Sequence, residues 1–114
     1  LISEAKKAAL ELANSGYTQP SERKDIRVLG RDGLGMVYAG ANTMHSGKFI
    51  SEHDKLISEK LGYVLCGGDL TSQAKVSEQY LLDLERQAFL SLLGEKKTLE
   101  RIQSLLKTGK PLRN

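Results

Sequence analysis

An all-α fold of about five helices is what this chain predicts, and three observations carry that expectation. Apolar residues recur at helical spacing along most of the 114 residues. Helix start and stop signals bracket three of those stretches in the expected order, small polar caps before them and Gly or Gly-Pro after. No stretch alternates apolar and polar residues long enough to build a sheet.

The elements follow in order. In residues 1–15, Ile2, Ala5, Ala9 and Leu12 share one helical face, and Asn14-Ser15-Gly16 stops it, with Gly16 suited to the left-handed residue after a helix. Residues 16–49 read as a connector or insertion. It opens with Pro20 and the charged run Glu22 to Asp25. The apolar stretch Ile26 to Leu29 is extended at most, and too short to count as a sheet. Within 33–46 the glycines argue for loop, each costing a helix interior about 1 kcal/mol, while Leu34, Val37, Tyr38 and Ala41 argue for helix. A helix of small residues packed closely on a neighbour is the favoured reading. Ser51 and Asp54 form a capping-box pattern, with Glu52 adding charge to the first turn. The stripe Ile57, Leu61, Val64, Leu65 follows, and Gly67-Gly68 ends it. Residues 68–75 are expected to be a polar loop. Ser77 is expected to cap the longest helix, reaching Leu93 and Gly94. Thr98 is expected to cap a last helix from Leu99 to about Thr108, closed by Gly109 and Pro111.

Composition narrows the function classes. The apolar share of 39% supports a modest core, but aromatics make up only 5% of residues, so a small chain of this kind leans on a partner. A net charge of +3 is too mild for a dedicated nucleic-acid binder. One cysteine, Cys66, excludes an internal disulfide and a cysteine zinc cage, which fits a cytoplasmic setting. No apolar run is long enough to span a bilayer, and no signal peptide stands at the start. The chain opens at Leu1 in what reads as helix interior, as expected of a piece of a longer protein.

Candidate chemistry is sparse. At 100° per residue, Leu81, Leu82, Leu84, Ala88, Phe89, Leu92 and Leu93 cover a wide apolar arc that includes Glu85. Glu85 is therefore expected to be a buried carboxylate with a structural partner, the competing role being an acid or base. His53 and His45 lack metal-ligand spacing, and a packed or capping histidine is the expected role of each. Cys66, without a nearby histidine, is expected to act as a small buried hydrophobe. Gly30-x-x-Gly33-x-Gly35 lacks the Lys-Ser/Thr of a phosphate loop and a convincing preceding strand. Lys96, Lys97, Arg101, Lys107, Lys110 and Arg113 make the C-terminal segment basic, which suits either a solvated face or phosphate groups. No metal site and no catalytic set are expected.

Longer stretches carry a resemblance. Ala5-Lys6-Lys7-Ala8-Ala9-Leu10, the Leu84-Glu85 to Phe89 helix, Glu100, Leu105 and Lys110-Pro111 resemble the C-terminal end of the crotonase (enoyl-CoA hydratase) family. Ser51-Glu52-His53-Asp54, Val64 to Asp69, Val76 to Arg86 and Thr108 to Asn114 are similar to the C-terminus of bacterial fused 3-hydroxyacyl-CoA dehydrogenases, which end in a crotonase-like portion. The resemblance implies a C-terminal helical segment, strongest over 50–114, of a β-oxidation enzyme. It implies NAD and a CoA thioester as cofactor and substrate of the parent, with possible hydratase activity there. It implies upstream dehydrogenase and crotonase-like portions as partners, and a homo-oligomer. By position, Leu105 takes the family's aromatic CoA-edge place and Lys110 the basic one. The chain departs from the family with Leu for Phe there, Arg101 for the usual Gly, and Arg113 for a terminal Phe. The rival reading is a small helical binding module using the basic tail.

Overall fold

The computed structural model describes residues 1–114. Five helices are joined with two three-residue strands, in the order α1 (Ile2–Asn14), β1 (Ile26–Val28), α2 (Arg31–Ser46), α3 (Glu52–Leu65), β2 (Ala74–Val76), α4 (Glu78–Leu93), α5 (Lys96–Thr108). The all-α expectation holds in its main lines. The short strands are the departure: the stretch at Ile26 is extended, and part of the expected polar loop pairs with it. β1 and β2 run antiparallel, with Ile26 opposite Val76, Arg27 opposite Lys75 and Val28 opposite Ala74. Their distance in sequence hides this pair from any local pattern.

The helix ends follow from side chains on the page. At α3, Ser51 Oγ accepts from the Asp54 N–H at 3.1 Å and the Asp54 carboxylate accepts from the Ser51 N–H at 3.0 Å, completing the capping box. Ser77 caps α4 through the Tyr80 N–H at 3.1 Å, and the Glu22 carboxylate accepts from the Gln79 N–H at 3.2 Å. The connector thus anchors α4. Thr98 does not cap α5. That helix begins at Lys96 with Glu95 as its cap residue, and Thr98 lies inside the first turn, buried. Nor is α4 the longest helix alone, since α2 equals it at 16 residues.

A spine runs α2 on α3, α3 on α4, and α4 on α5. Its core is thin. Twelve residues are buried, and the apolar ones among them are Val28, Ala41, Val64, Cys66 and Leu84. Close approach depends on small residues. A Cβ at Gly62 of α3 would collide with the Val37 side chain of α2. Gly67, at φ +86°, turns the chain after α3 where a Cβ would lie 2.5 Å from Val28 Cγ2. The glycines inside α2 divide in role. Gly33 is packed beneath Leu29 and Cys66, whereas Gly35 and Gly40 face open space.

Several apolar stripes stay uncovered. Every residue of α1 is exposed. On α3, Leu61 and Leu65 are exposed although both belong to the stripe read from the sequence. The Cα radius of gyration is 19.3 Å, against about 13 Å for a compact domain of similar length. The accessible surface is 8964 Å², against about 6200 Å² for a compact monomer of this mass.

Candidate functional site

The polar groups that could do chemistry gather where α3 begins, against α5 and the C-terminal tail. His53, in the first turn of α3, is 4% exposed, and its Nε2 lies 3.0 Å from Thr98 Oγ1 of α5. This is the packed histidine expected from the sequence. The hydroxyl satisfies the ring, and the pair ties two helices together.

One turn away, Arg101 reaches back to the same cap. Its Nη1 donates to Asp54 Oδ1 at 2.9 Å and its Nε to Asn114 Oδ1 at 2.6 Å. The Ser51 N–H, with the guanidinium of Arg101, holds the Asp54 carboxyl below the usual carboxylate range. Asn114 is held further, donating through Nδ2 to Lys97 O at 3.1 Å and to the Glu100 carboxylate at 3.0 Å. Arg101 therefore leaves the free basic set. Its charge is spent on an internal carboxylate rather than offered to a ligand.

Glu85 requires correction. It is exposed, not buried. The apolar arc of α4 splits in two: Leu84 is buried, and Leu81, Ala88 and Leu92 are half-buried, while Leu82, Glu85 and Phe89 point away from the spine. Helical spacing places Glu85 within the arc, but no element of this chain covers that half. Glu85 instead lines a mostly apolar groove of about 330 Å³ with Ile26, Val64, Leu65, Leu81 and Leu82.

Cys66 is buried and free. Its Sγ would lie 3.2 Å from a Cβ at Gly33. It packs under the first turn of α2, in the role expected of a small hydrophobe.

The glycine run at 30–35 does follow a strand and open a helix, yet it does not fit a dinucleotide. β1 is antiparallel rather than part of a parallel sheet. Two amides at the start of α2 are taken by the chain itself, Gly30 N–H donating to Cys66 O at 3.0 Å and Arg31 N–H to Leu70 O at 2.8 Å. A Cβ at Gly30 would sit 2.6 Å from Ser72 O, so a loop of this chain lies directly against the backbone there. Beside it Arg31 Nε donates to Asp69 Oδ1 at 2.7 Å, which holds the Asp69 carboxyl low.

Leu105 and Lys110 stand at the exposed far end of α5, Leu105 being 54% exposed. The turn around Lys110 is held by Ser104 Oγ donating to Lys110 O at 3.2 Å. No other candidate side chain is brought to them. No group of three or more His, Cys, Asp or Glu is placed to hold a metal. No helix is long and apolar enough to cross a membrane.

The sequence reading passed over Lys48 and Phe49. Together with His45, Ile50, Ile57 and Arg113 they line a cleft of about 800 Å³ over the capping box. Lys48, at the end of α2, takes φ +62°.

Comparison with known proteins matches the chain to part of a longer one. No protein-family model matches it, and no solved structure does. It is 44% identical over all 114 residues to a protein of Bacillus subtilis (strain 168) described as a probable 3-hydroxyacyl-CoA dehydrogenase. The match takes in 100% of this chain and 14% of that protein. The chain is therefore similar, from end to end, to about a seventh of a 3-hydroxyacyl-CoA dehydrogenase homologue.

Proposed function

We propose that the chain is a helical packing segment of a larger β-oxidation enzyme that oxidises 3-hydroxyacyl-CoA with NAD. The 44% identity along the whole chain to the Bacillus subtilis protein carries this reading. In that reaction the substrate's C3 carbon gives a hydride to NAD and its hydroxyl loses a proton, leaving the 3-ketoacyl thioester and NADH. The catalytic and dinucleotide-binding groups belong to the rest of the parent. A crotonase-like portion with enoyl-CoA hydratase activity, a homo-oligomeric assembly and a cytoplasmic location belong to the same reading.

The uncovered surface supports a packing role. The excess over a compact monomer, roughly 2800 Å², is more than one partner's share of a standard interface, about 800 Å². It is apolar where it matters: Leu10 and Leu12 on α1, Leu82 and Phe89 on α4, and Leu106 on α5 are all more than half exposed. Leu105 and Lys110 lie open and could meet the edge of a CoA carried by a neighbouring portion.

The test uses the full-length protein. It is expected to form NADH from a 3-hydroxyacyl-CoA and NAD, and to add water to a trans-2-enoyl-CoA. No NADH from any chain length of 3-hydroxyacyl-CoA would remove the reading. Absence of hydration alone would remove only its hydratase half. Deleting these 114 residues is expected to leave the remainder aggregated or altered in oligomeric state.

A further inference from the structure

We infer that the C-terminal tail is a strap whose catch, Asn114, fastens α5 to the start of α3, and whose release loosens both together. The packing leaves that work to side chains. The spine seats α5 on α4 rather than on α3. What joins α5 to α3 is two polar ties, His53 to Thr98 and Arg101 to the Ser51–Asp54 cap. Ties of this kind weaken steeply once their geometry is lost.

The tail enforces the second tie. At its root, Gly109 takes φ +69° and turns the chain at the end of α5. The Lys110 N–H donates to Thr108 Oγ1 at 3.2 Å, and Ser104 Oγ donates to Lys110 O at 3.2 Å. From there the chain runs back along α5 until Asn114 meets Lys97, Glu100 and Arg101. The residues from Gly109 to Asn114 reach at most about 18 Å, and Glu100 lies about 13 Å back along the helix. Most of the reach is therefore used, and Pro111 stiffens it.

The catch is chemically complete. Arg101 Nε donates to Asn114 Oδ1 at 2.6 Å, and Arg101 Nη2 donates to Asn114 O at 3.1 Å. Asn114 Nδ2 donates to Lys97 O at 3.1 Å and to the Glu100 carboxylate at 3.0 Å. The amide oxygen thus faces a cation, and the amide nitrogen faces a carbonyl and an anion. The reversed amide would be repelled on both sides. With Nε and Nη2 held by the tail, Nη1 is left aimed at Asp54 Oδ1, 2.9 Å away. The guanidinium is a rigid plane, so fixing one edge fixes the other. Asn114 is therefore a positioning residue that acts on the α3 cap through Arg101. Every one of these contacts is made within the chain.

This inference does not rest on the dehydrogenase reading, which the NADH assay decides separately. Its test is hydrogen–deuterium exchange of the full-length protein, read segment by segment. Asn114→Ala is expected to speed exchange about tenfold in residues 97–104 and 52–58 together, the loss of one charge-assisted hydrogen bond. Exchange in α2 is expected to stay as it was. Leu112→Ala, within the strap but not at its catch, is expected to leave both segments unchanged. In an Arg101→Ala background, Asn114→Ala is expected to add less than about threefold, because its route to α3 is gone. Faster exchange confined to residues 110–114 overturns the inference. So does an equal acceleration in every helix, which is loss of the fold rather than release of a strap. A Leu112→Ala effect as large as that of Asn114→Ala, or a full tenfold effect of Asn114→Ala without Arg101, overturns it as well.

Discussion

Lys48 shows how a single residue can disagree with its element. A non-glycine residue in the left-handed region costs on the order of 1–2 kcal/mol, and Lys48 bears that cost at φ +62°. Lys48→Gly should therefore raise the stability of the chain by about 1 kcal/mol. A urea midpoint no higher than that of the parent sequence would show that the strain is relieved elsewhere. Asp54 is the opposite case, a residue whose charge and element agree. Its folded-state pKa is lowered, chiefly by the Ser51 N–H and then by Arg101. A depressed carboxyl contributes stability above its unfolded pKa and loses it as the pH falls through the folded value. Acidification below about pH 4 should therefore weaken the α3 cap and the tail that Arg101 binds. Asp54→Asn should remove much of that acid sensitivity, measured as the pH dependence of thermal midpoint. It should also cost about 1 kcal/mol at neutral pH through the lost cap and ion pair.

At the scale of elements, the spine is held by small residues and one buried polar pair rather than by large apolar side chains. No large side chain is fully buried. Gly62 lets α3 approach α2, and a methyl there meets Val37. Gly62→Ala should destabilise by about 1–3 kcal/mol, far more than Gly40→Ala, which faces open space and should stabilise α2 by a few tenths to about 1 kcal/mol. Denaturant titration of the two variants separates close packing from helix propensity. The tie between α3 and α5 depends on His53 and Thr98. Thr98→Val keeps the shape but leaves the buried ring nitrogen unpaired, at a cost of about 1–3 kcal/mol. Loss of exchange protection in α5 before α3 would be its signature.

For the whole molecule, extent and surface are the decisive quantities. Principal extents of 56 × 42 × 22 Å describe a flattened, open arrangement with α1 standing apart. Such a shape leaves much of the apolar area of a small chain uncovered. The isolated 114-residue chain is therefore expected to self-associate. Light scattering across a concentration series should show a dimer or larger species, with Leu12→Glu on α1 and Phe89→Glu on α4 shifting it toward monomer. A clean monomer at every concentration would mean that these faces need no cover.

Local physics carried most of the elements. Capping chemistry and Gly geometry are interactions within a few residues, so Ser51, Asp54, Ser77, Gly16, Gly67 and Gly109 marked their helix ends in the sequence itself. The roles of His53 and Cys66 were legible for the same reason, since a lone buried histidine or cysteine needs only a place in the core. The likeness to part of a 3-hydroxyacyl-CoA dehydrogenase was also carried by residue order alone. What the sequence left undecided involves distance along the chain. The β1–β2 pair joins segments nearly 50 residues apart. Thr98 turned from cap to partner because His53 lies opposite, and Arg101 from free cation to internal ion pair because Asp54 does. Glu85 is the clearest instance. Helical spacing can place it on an apolar arc, but whether that arc is covered depends on which element lies against it, and here only half of the arc meets a neighbour. Periodicity reports a face, and only tertiary packing decides what that face touches.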